Sequence, residues 1–303
     1  MFSFTERGSI KPIAEIKGKS ELAGKFLYLH RKDPHTKELK KGFFDEITLK
    51  PSDKFEFMPE IRDNFTDTIS ITAPKGSGKS TLGASYAMKI KKVLGLEDDD
   101  LIVVKKSKTD DPAFKKLNPL YLYCDEEMVD NPPNLDEIVS DGRPKVILFD
   151  DIDVIQSKKL KDVVQKFLDE CLCEGRKLGI STIIMAHRLA GGRDTKMILS
   201  ECSYLSWFPE NTTSDFKYTL QKYCDMTLDV IRDLKSSPSP WVMYHQHSPR
   251  FILTENRAVI FDLDREKDRL DDIKKEKKER RLLKRVLYPR RSGHSEESQD
   301  EEY

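Results

Sequence analysis

The sequence predicts an α/β fold in which helices cover both faces of a mostly parallel β-sheet. Two observations lead to this prediction. From Asp67 onward, strand-like apolar runs alternate with helical stretches, as in chains that return repeatedly to one sheet. One junction between a strand and a helix is rich in glycine and serine, so its backbone can turn tightly and expose N–H groups. The length of 303 residues allows one such core with appendages.

Residues 1–62 are predicted to form a small β-rich extension ahead of this core. Two short strand-like runs, at 25–30 and 43–49, carry apolar and β-branched residues. The sequence Asp33-Pro34-His35 between them is typical of a turn. The extension is therefore expected to consist mainly of strands.

The predicted core spans residues 63–262. Its strands are expected at 68–72, 101–105, 120–123, 146–149, 180–185, 204–208, 241–244 and 258–261. Its helices are expected at 80–93, 158–174, 214–224 and 227–235. The second helix has apolar residues three and four apart, which predicts packing on the sheet, and Gly175 is its expected end. Thr227 is the expected N-cap of the last helix.

Residues 263–303 are predicted to form a charged helix followed by an acidic, disordered tail. The stretch 264–291 has 13 basic and 7 acidic residues, a difference of +6, and the last twelve residues include five acidic ones and no lysine or arginine. A solvated helix explains the basic stretch, and contact with phosphate backbones is the alternative.

The composition excludes several classes of protein. Lysine plus arginine equal aspartate plus glutamate at 53 each, so no whole-chain charge directs the protein to nucleic acid or a membrane. The start has no signal-peptide pattern and no apolar run is long enough to span a bilayer, which predicts a soluble, intracellular protein. Five cysteines without a CxxC pair predict reduced, buried thiols. His245 and His247 lack a third ligand and predict no metal site.

The glycine-rich junction reads A-P-K-G-S-G-K-S-T, from Ala73 to Thr81. This is the phosphate-binding loop pattern with Ala73 at the position of its first glycine. Gly76 and Gly78 allow successive N–H groups to face a phosphate chain, and Pro74 has no N–H to offer. The expected ATP-binding residues are Ala73, Pro74, Lys75, Gly76, Ser77, Gly78, Lys79, Ser80 and Thr81.

Three residues of this loop have predicted individual roles. Lys79 is expected to reach the β- and γ-phosphate oxygens, and the Ser80 hydroxyl to coordinate Mg²⁺. Thr81 is expected near the α-phosphate, where the N-terminus of the helix also favours negative charge. The strand, loop and helix predict a P-loop NTPase three-layer sandwich that binds ATP with Mg²⁺.

A second motif is V-I-L-F-D-D-I-D, residues 146–153. A continuously apolar strand is buried on both faces, and its carboxyl end is where ligands bind in a parallel sheet. Asp150 is therefore predicted to hold Mg²⁺ through water, and Asp151 to position or polarise the attacking water. Asp153 is the alternative carboxylate and is expected to serve as a helix cap.

The next strand ends at His187, whose side chain is predicted either to sense the γ-phosphate or to be an ordinary strand-end histidine. Arg176, Arg188 and Arg193 follow or precede it closely, and one of them is a candidate for stabilising transition-state charge. The sequence does not select among the three.

The two motifs, with G-I-S-T-I-I-M-A-H-R and the later T-K-M-I-L-S-E-C-S-Y-L-S-W-F-P, resemble FtsK/HerA-type P-loop ATPases over about residues 63–261. More narrowly, the chain is similar to the packaging-type ATPases of large double-stranded DNA viruses of eukaryotes. The resemblance implies an oligomeric ring that pumps DNA. It also implies phosphate and Mg²⁺ contacts for Lys79, Ser80 and Asp150, with Asp151 where the family usually has Glu, and His187 where it usually has Gln or Asn.

Two other functions fit the same loop. A small-molecule or nucleotide kinase would need an arginine-rich lid, for which 188–193 is the only candidate segment. A protein that changes conformation on binding ATP, with little turnover, would fit the long charged tail and the short Asp151 side chain.

Overall fold

The computed structural model describes residues 1–6, 11–30, 42–59, 66–188, 193–211 and 213–261. These belong to one compact unit, Met1–Phe261. The predicted turn at 33–35 and the predicted tail at 263–303 lie outside the described residues. Among the described residues, no helix has both the length and the apolar character needed to cross a membrane.

Strands and helices of the described residues are numbered in chain order. The strands are β1 (Phe2–Ser3), β2 (Pro12–Lys17), β3 (Phe26–Leu29), β4 (Glu46–Thr48), β5 (Lys54–Phe57), β6 (Thr68–Thr72), β7 (Leu101–Lys105), β8 (Leu120–Tyr123), β9 (Lys145–Asp150), β10 (Ile180–Ala186), β11 (Tyr204–Trp207), β12 (Val242–His245), β13 (Phe251–Thr254) and β14 (Arg257–Ile260). The helices are α1 (Lys79–Leu94), α2 (Glu126–Asp130), α3 (Leu135–Ile138), α4 (Lys158–Leu178), α5 (Arg193–Glu201), α6 (Ser214–Tyr223) and α7 (Leu228–Lys235).

The strands form two sheets. The larger has ten strands in the order β4-β14-β13-β12-β11-β6-β10-β9-β7-β8, and the smaller has four in the order β1-β3-β2-β5. All pairs from β11 to β8 are parallel, whereas β12, β13, β14 and β4 add antiparallel strands at the other end. The predicted mostly parallel sheet is therefore confirmed.

The centre of the parallel region positions the predicted motifs. Strand β10 lies between β6, which leads into the glycine-rich loop, and β9, which ends in the two aspartates. Because the three strands are parallel, their carboxyl ends meet at one edge of the sheet. Both predicted motifs consequently lie at that edge.

Helices cover both faces of this region, which confirms the predicted layered α/β arrangement. Leu148 belongs to the core that also contains the buried residues of α1, whereas the ring of its neighbour Phe149 lies 5.6 Å from Phe167 of α4. Successive strand residues point to opposite faces, so α1 and α4 cover different faces.

The small sheet packs on the same side as α1. The Phe57 ring of β5 lies 5.1 Å from Tyr86 of α1 and 4.9 Å from Tyr204 of β11, measured between centroids. Lys89 of α1 also forms a 2.9 Å ion pair with Glu56. The β-rich N-terminal region is therefore confirmed, and its strand β4 joins the large sheet beside β14.

The predicted end of α4 at Gly175 is wrong. The helix continues to Leu178 and ends at Gly179, which has φ 73° in the left-handed region that glycine adopts without strain. Gly175 is instead a close-packing position, because a Cβ there would lie 3.2 Å from the Ile180 carbonyl oxygen. The glycine pattern identified the right region but the wrong glycine.

Two further predictions need correction. Strand β13, which begins shortly after Ser248 and Pro249, was not predicted. Helices α2, α3 and α5 were not predicted either, and the first two are only five and four residues long. Cys173 is exposed although the other four cysteines are buried as predicted. Its position on α4 turns its side chain away from the sheet that buries Cys171.

Candidate nucleotide-binding site

The loop from Ala73 to Thr81 connects β6 directly to α1. Its first residue is anchored to the central strand, because the Ala73 N–H donates a 3.1 Å hydrogen bond to the Ala186 carbonyl of β10. Gly76 and Gly78 have φ values of 82° and 94°, which a side chain would strain. A Cβ on Gly76 would meet no atom within 4 Å, so the space beside this glycine is open.

Helix α1 begins at Lys79, so its N-terminus points into the loop. The Leu82 N–H bonds to the Gly78 carbonyl at 2.9 Å, which leaves the N–H groups of the first helical residues without helical acceptors. Such an end favours anions. Ser80 is half-buried and Thr81 is exposed in this first turn.

Lys79 connects the loop with the second motif. Its side chain is only 5% exposed, and its ammonium group forms an ion pair with Asp151. The Nζ atom also lies 3.6 Å from Asp150 Oδ1. Lys79 and Asp151, 72 positions apart in sequence, thus meet although their strands are separated by β10.

Asp150 lies within strand β9, whereas Asp151 lies in the turn that follows it. Asp150 is the last residue of β9, paired in register with Met185 of β10, and its side chain is 13% exposed. Asp151 has left the strand: its φ is 51°, and its N–H donates a 2.9 Å hydrogen bond to the Met185 carbonyl. Left-handed backbone is uncommon outside glycine and is often found at functional sites. The turn directs the Asp151 carboxylate toward solvent, where 37% of it is exposed.

Asp150 is a buried carboxylate with an unsatisfied oxygen. Burial raises its pKa to about 6; Lys79 opposes this rise, and the charges of Asp151 and Asp111 add to it. Its Oδ1 atom accepts no hydrogen bond from the described residues. A carboxylate in this state fits a hard divalent cation such as Mg²⁺, whose preferred ligands are oxygens.

His187 follows β10 and contacts the second aspartate. Its Nε2 atom lies 3.2 Å from Asp151 Oδ2, and its backbone N–H donates a 3.0 Å hydrogen bond to Asp153 Oδ2. The prediction that Asp153 caps a helix is therefore wrong. A short 3₁₀ turn, Ile152–Val154, redirects Asp153 to the end of β10 instead.

The three candidate arginines lie in different places. Arg176 is exposed on the last turn of α4, next to the start of β10 and thus at the sheet edge opposite the loop. Arg188 is exposed directly after His187, at the same edge as the loop. Arg193 begins α5, and its side chain lies outside the described part of the chain.

One residue near the site was not found by sequence reasoning. Asp111, in the segment between β7 and β8, lies close enough to Asp150 to raise its pKa. Its position after a run of lysines and before Pro112 gave only a turn signal, so nothing in the sequence linked it to the site. No cluster of three potential metal-ligating side chains occurs in the described ranges, which include His245 and His247.

Comparison with known proteins gives one similar curated sequence. Uncharacterized protein V3 of Sputnik virophage is 27% identical over 250 residues, which are 82% of this chain and 94% of that protein. No family model matches the chain.

Several solved structures are similar at low sequence identity. The genome packaging NTPase B204 of Sulfolobus turreted icosahedral virus 2, in complex with ATP-gammaS, has a TM-score of 0.44 and 13% identity, and covers 66% of this chain and 100% of its own. The cytoplasmic domain of the type VII secretion ATPase EccC of Thermomonospora curvata has a TM-score of 0.45 and 16% identity, over 70% of this chain but only 28% of that one. The pCW3 conjugation coupling protein TcpA, with ATPgS, has a TM-score of 0.40 and 14% identity, over 85% and 79%.

The fold follows from the strand order, the glycine-rich loop between β6 and α1, and the acidic end of β9 two strands away. The chain has the fold of a P-loop NTPase.

Proposed function

We propose that this protein is a Mg²⁺-dependent ATPase that uses the loop from Ala73 to Thr81 and the acidic end of β9. The observation that carries the proposal is the contact of buried Lys79 with Asp151 and its 3.6 Å approach to Asp150. A lysine at the end of an open glycine-rich loop and a buried carboxylate beside it are the two charges that a nucleotide with Mg²⁺ requires.

The chain offers distinct groups to each part of the ligand. In our proposal, loop N–H groups and Lys79 bind the phosphates, while Ser80 and Asp150 hold Mg²⁺. The bound ion would neutralise charge on the β- and γ-phosphates. Asp151 and His187 lie beside Lys79 and would position the attacking water. Hydrolysis needs little more from a protein than this positioning and fixed charge.

We further propose that ATP hydrolysis moves double-stranded DNA, with the protein working as a homo-oligomer. The resemblance to FtsK/HerA-type packaging ATPases supports this, as does the net charge of +6 at 264–291. Arg188 is the described arginine best placed to act at the loop edge. The virophage relative supports a viral protein, acting in the host cytoplasm or in the virion.

The test is steady-state ATP hydrolysis with Mg²⁺, with and without double-stranded DNA. Lys79→Ala should weaken ATP binding, and Asp150→Ala should abolish Mg²⁺-dependent turnover while ATP still binds. Stimulation of the wild type by DNA, absent in Lys79→Ala, would support the motor. Unchanged turnover in Asp150→Ala would sink the site assignment.

One observation favours a second candidate, an ATP-dependent conformational switch. Lys79 is held by Asp151, so a bound phosphate chain would compete for the lysine and release the carboxylate. Tight ATP binding without turnover, with or without DNA, would select this function over the motor.

A further inference from the structure

We propose that His187, held by Asp151, is the residue that contacts and polarises the attacking water, so that Asp151 acts as a positioning residue. This inference rests on the proposed ATPase function and assigns the water-activating step within it. The proposal gives one joint role to Asp151 and His187, the two residues that differ from those usual in FtsK/HerA-type ATPases.

Hydrogen bonds from their main-chain N–H groups hold both Asp151 and His187 in place. Asp151 is tied to β10 by its N–H bond to Met185, and His187 is tied to the turn after β9 by its N–H bond to Asp153, at 2.9 and 3.0 Å. The two side chains therefore meet because hydrogen bonds in both directions join the ends of two neighbouring strands. This contact is built into the sheet.

The two oxygens of the Asp151 carboxylate contact different residues. Oδ1 bonds Lys79 and Oδ2 lies 3.2 Å from His187 Nε2. An aspartate side chain is also one carbon–carbon bond shorter than glutamate, about 1.5 Å. Because Lys79 occupies Oδ1, the imidazole bonded to Oδ2 is the group through which this carboxylate can reach further.

The tautomer of the His187 imidazole decides which of its two nitrogens can accept a hydrogen bond. A neutral ring whose Nε2–H donates to Asp151 has its other nitrogen, Nδ1, free to accept a hydrogen bond. Among the described residues no hydrogen bond to Nδ1 is found, and 27% of the side chain is exposed. The charged groups nearby are Lys79, Asp150, Asp151 and Asp153.

The proposed step balances without any further reactant. Water oxygen forms a bond to the γ-phosphorus while the bond from that phosphorus to the ADP oxygen breaks, and the electron pair leaves with ADP. The water proton passes to His187 Nδ1, and Asp151 stabilises the resulting imidazolium through Nε2–H. The ring then returns the proton to solvent.

The kinetic test compares His187→Gln with a matched control, His247→Gln, which makes the same change at an exposed position after β12. Glutamine can hydrogen-bond a phosphate or water but cannot take its proton. His187→Gln should lower kcat about 100-fold or more, the range of general-base catalysis, with the Kd for ATP unchanged. The control should retain wild-type kcat. Wild-type kcat in His187→Gln would overturn the proposal, since an amide would then suffice.

Two rescues sharpen the test. Asp151→Glu combined with His187→Gln supplies a longer carboxylate and should recover at least tenfold of the lost kcat. Added imidazole should restore turnover to His187→Ala in a saturable manner. Failure of both rescues, in variants that bind ATP normally, would contradict a base role for the ring.

A measurement on the nucleotide-free protein is independent of turnover. Nitrogen-15 NMR of the histidines, with His187 assigned by its loss in His187→Gln, should show the Nε2–H tautomer, and Asp151→Asn should change it. An Nδ1–H tautomer would overturn the pair. A wild type without Lys79-dependent hydrolysis would instead contradict the proposed function, and the two failures are thus distinguishable.

Discussion

Burial makes ionisation of Asp150 unfavourable until a cation accompanies it. Its pKa is raised to about 6, mainly by burial, although Lys79 Nζ lies 3.6 Å away. Lys79 cannot neutralise it fully because the same ammonium group pairs with Asp151. Two carboxylates and one lysine leave a net negative site, which favours Mg²⁺.

The cost of ionising buried Asp150 predicts that Asp150→Asn changes the free energy of unfolding in a pH-dependent way when Mg²⁺ is absent. The ordinary pKa of 3.8 applies to the unfolded chain and about 6 to the folded one, so the unfolded state loses its proton first as pH rises. The wild type should therefore lose stability between about pH 4 and 7, by up to roughly 3 kcal/mol. The variant lacks this loss and retains the Lys79–Asp151 pair.

Urea unfolding of both proteins in EDTA, at pH 4 and pH 8, measures this effect. The difference in the free energy of unfolding should be small at pH 4 and favour the variant at pH 8. Groups far from residue 150 titrate equally in both proteins and cancel. A difference that stays constant with pH would show that Asp150 does not have the raised pKa.

At the residue level, the sequence predicted which side chains lie at one edge of the sheet but not their contacts. Lys79, Asp150 and Asp151 could be placed there because the glycine-rich loop follows β6 and the two aspartates lie at the end of β9. The contact between His187 and Asp151 could not, because it depends on the left-handed backbone of Asp151. Asp111 comes from a segment without a motif, so only the fold reveals its position.

At the level of elements, the end of α4 gives a prediction about two glycines. Gly179→Ala should destabilise the protein by about 1 kcal/mol, because alanine is strained at φ 73°. Gly175→Ala gains helix propensity of up to about 1 kcal/mol but brings a Cβ to 3.2 Å from the Ile180 carbonyl. Its net effect should therefore be smaller than that of Gly179→Ala.

Chemical denaturation of the two variants beside the wild type tests this order. The matched control is Gly142→Ala, which has a similar φ of 70° in an exposed turn with nothing near its Cβ, and should resemble Gly179→Ala. A larger loss at Gly175 than at Gly179 would mean that close packing against Ile180 outweighs backbone strain.

The strands of the parallel region were predicted within about one residue because their runs are rich in apolar and β-branched residues, and burial on both faces makes β7 and β9 almost continuously apolar. Strands β6, β7 and β8 match the predicted bounds. The short strands of the small sheet were harder, since β1 has two residues and β2 mixes charged with apolar ones. Pairing with distant strands stabilises these segments, and local sequence does not record it.

At the scale of the whole molecule, the small sheet and the large sheet share one hydrophobic core. Phe57, Tyr86 and Tyr204 connect β5, α1 and β11 within it. Helix α1 also carries Lys79 at its start, so the small sheet supports the helix that presents the phosphate-binding residues. The sequence divided the chain at 62, but this packing couples the two sides of that boundary.

The coupling predicts that Phe57→Ala destabilises the entire unit in one transition. Phe57 is 4% exposed, and truncating a buried phenylalanine costs about 3–5 kcal/mol. Both tryptophans lie in or beside the large sheet, Trp207 on β11 and Trp241 just before β12, so their fluorescence reports unfolding there. Far-UV circular dichroism reports all elements. The two signals should shift together to lower denaturant.

Phe26→Ala is the matched control, because Phe26 lies on β3 of the same small sheet but is 36% exposed. It should cost less than about 1.5 kcal/mol, since less buried surface is lost. If Phe57→Ala changed circular dichroism while the tryptophan transition stayed at the wild-type midpoint, the small sheet would be an independent folding unit. Loss of ATP affinity in parallel with stability would instead show that the small sheet acts on the nucleotide site through α1.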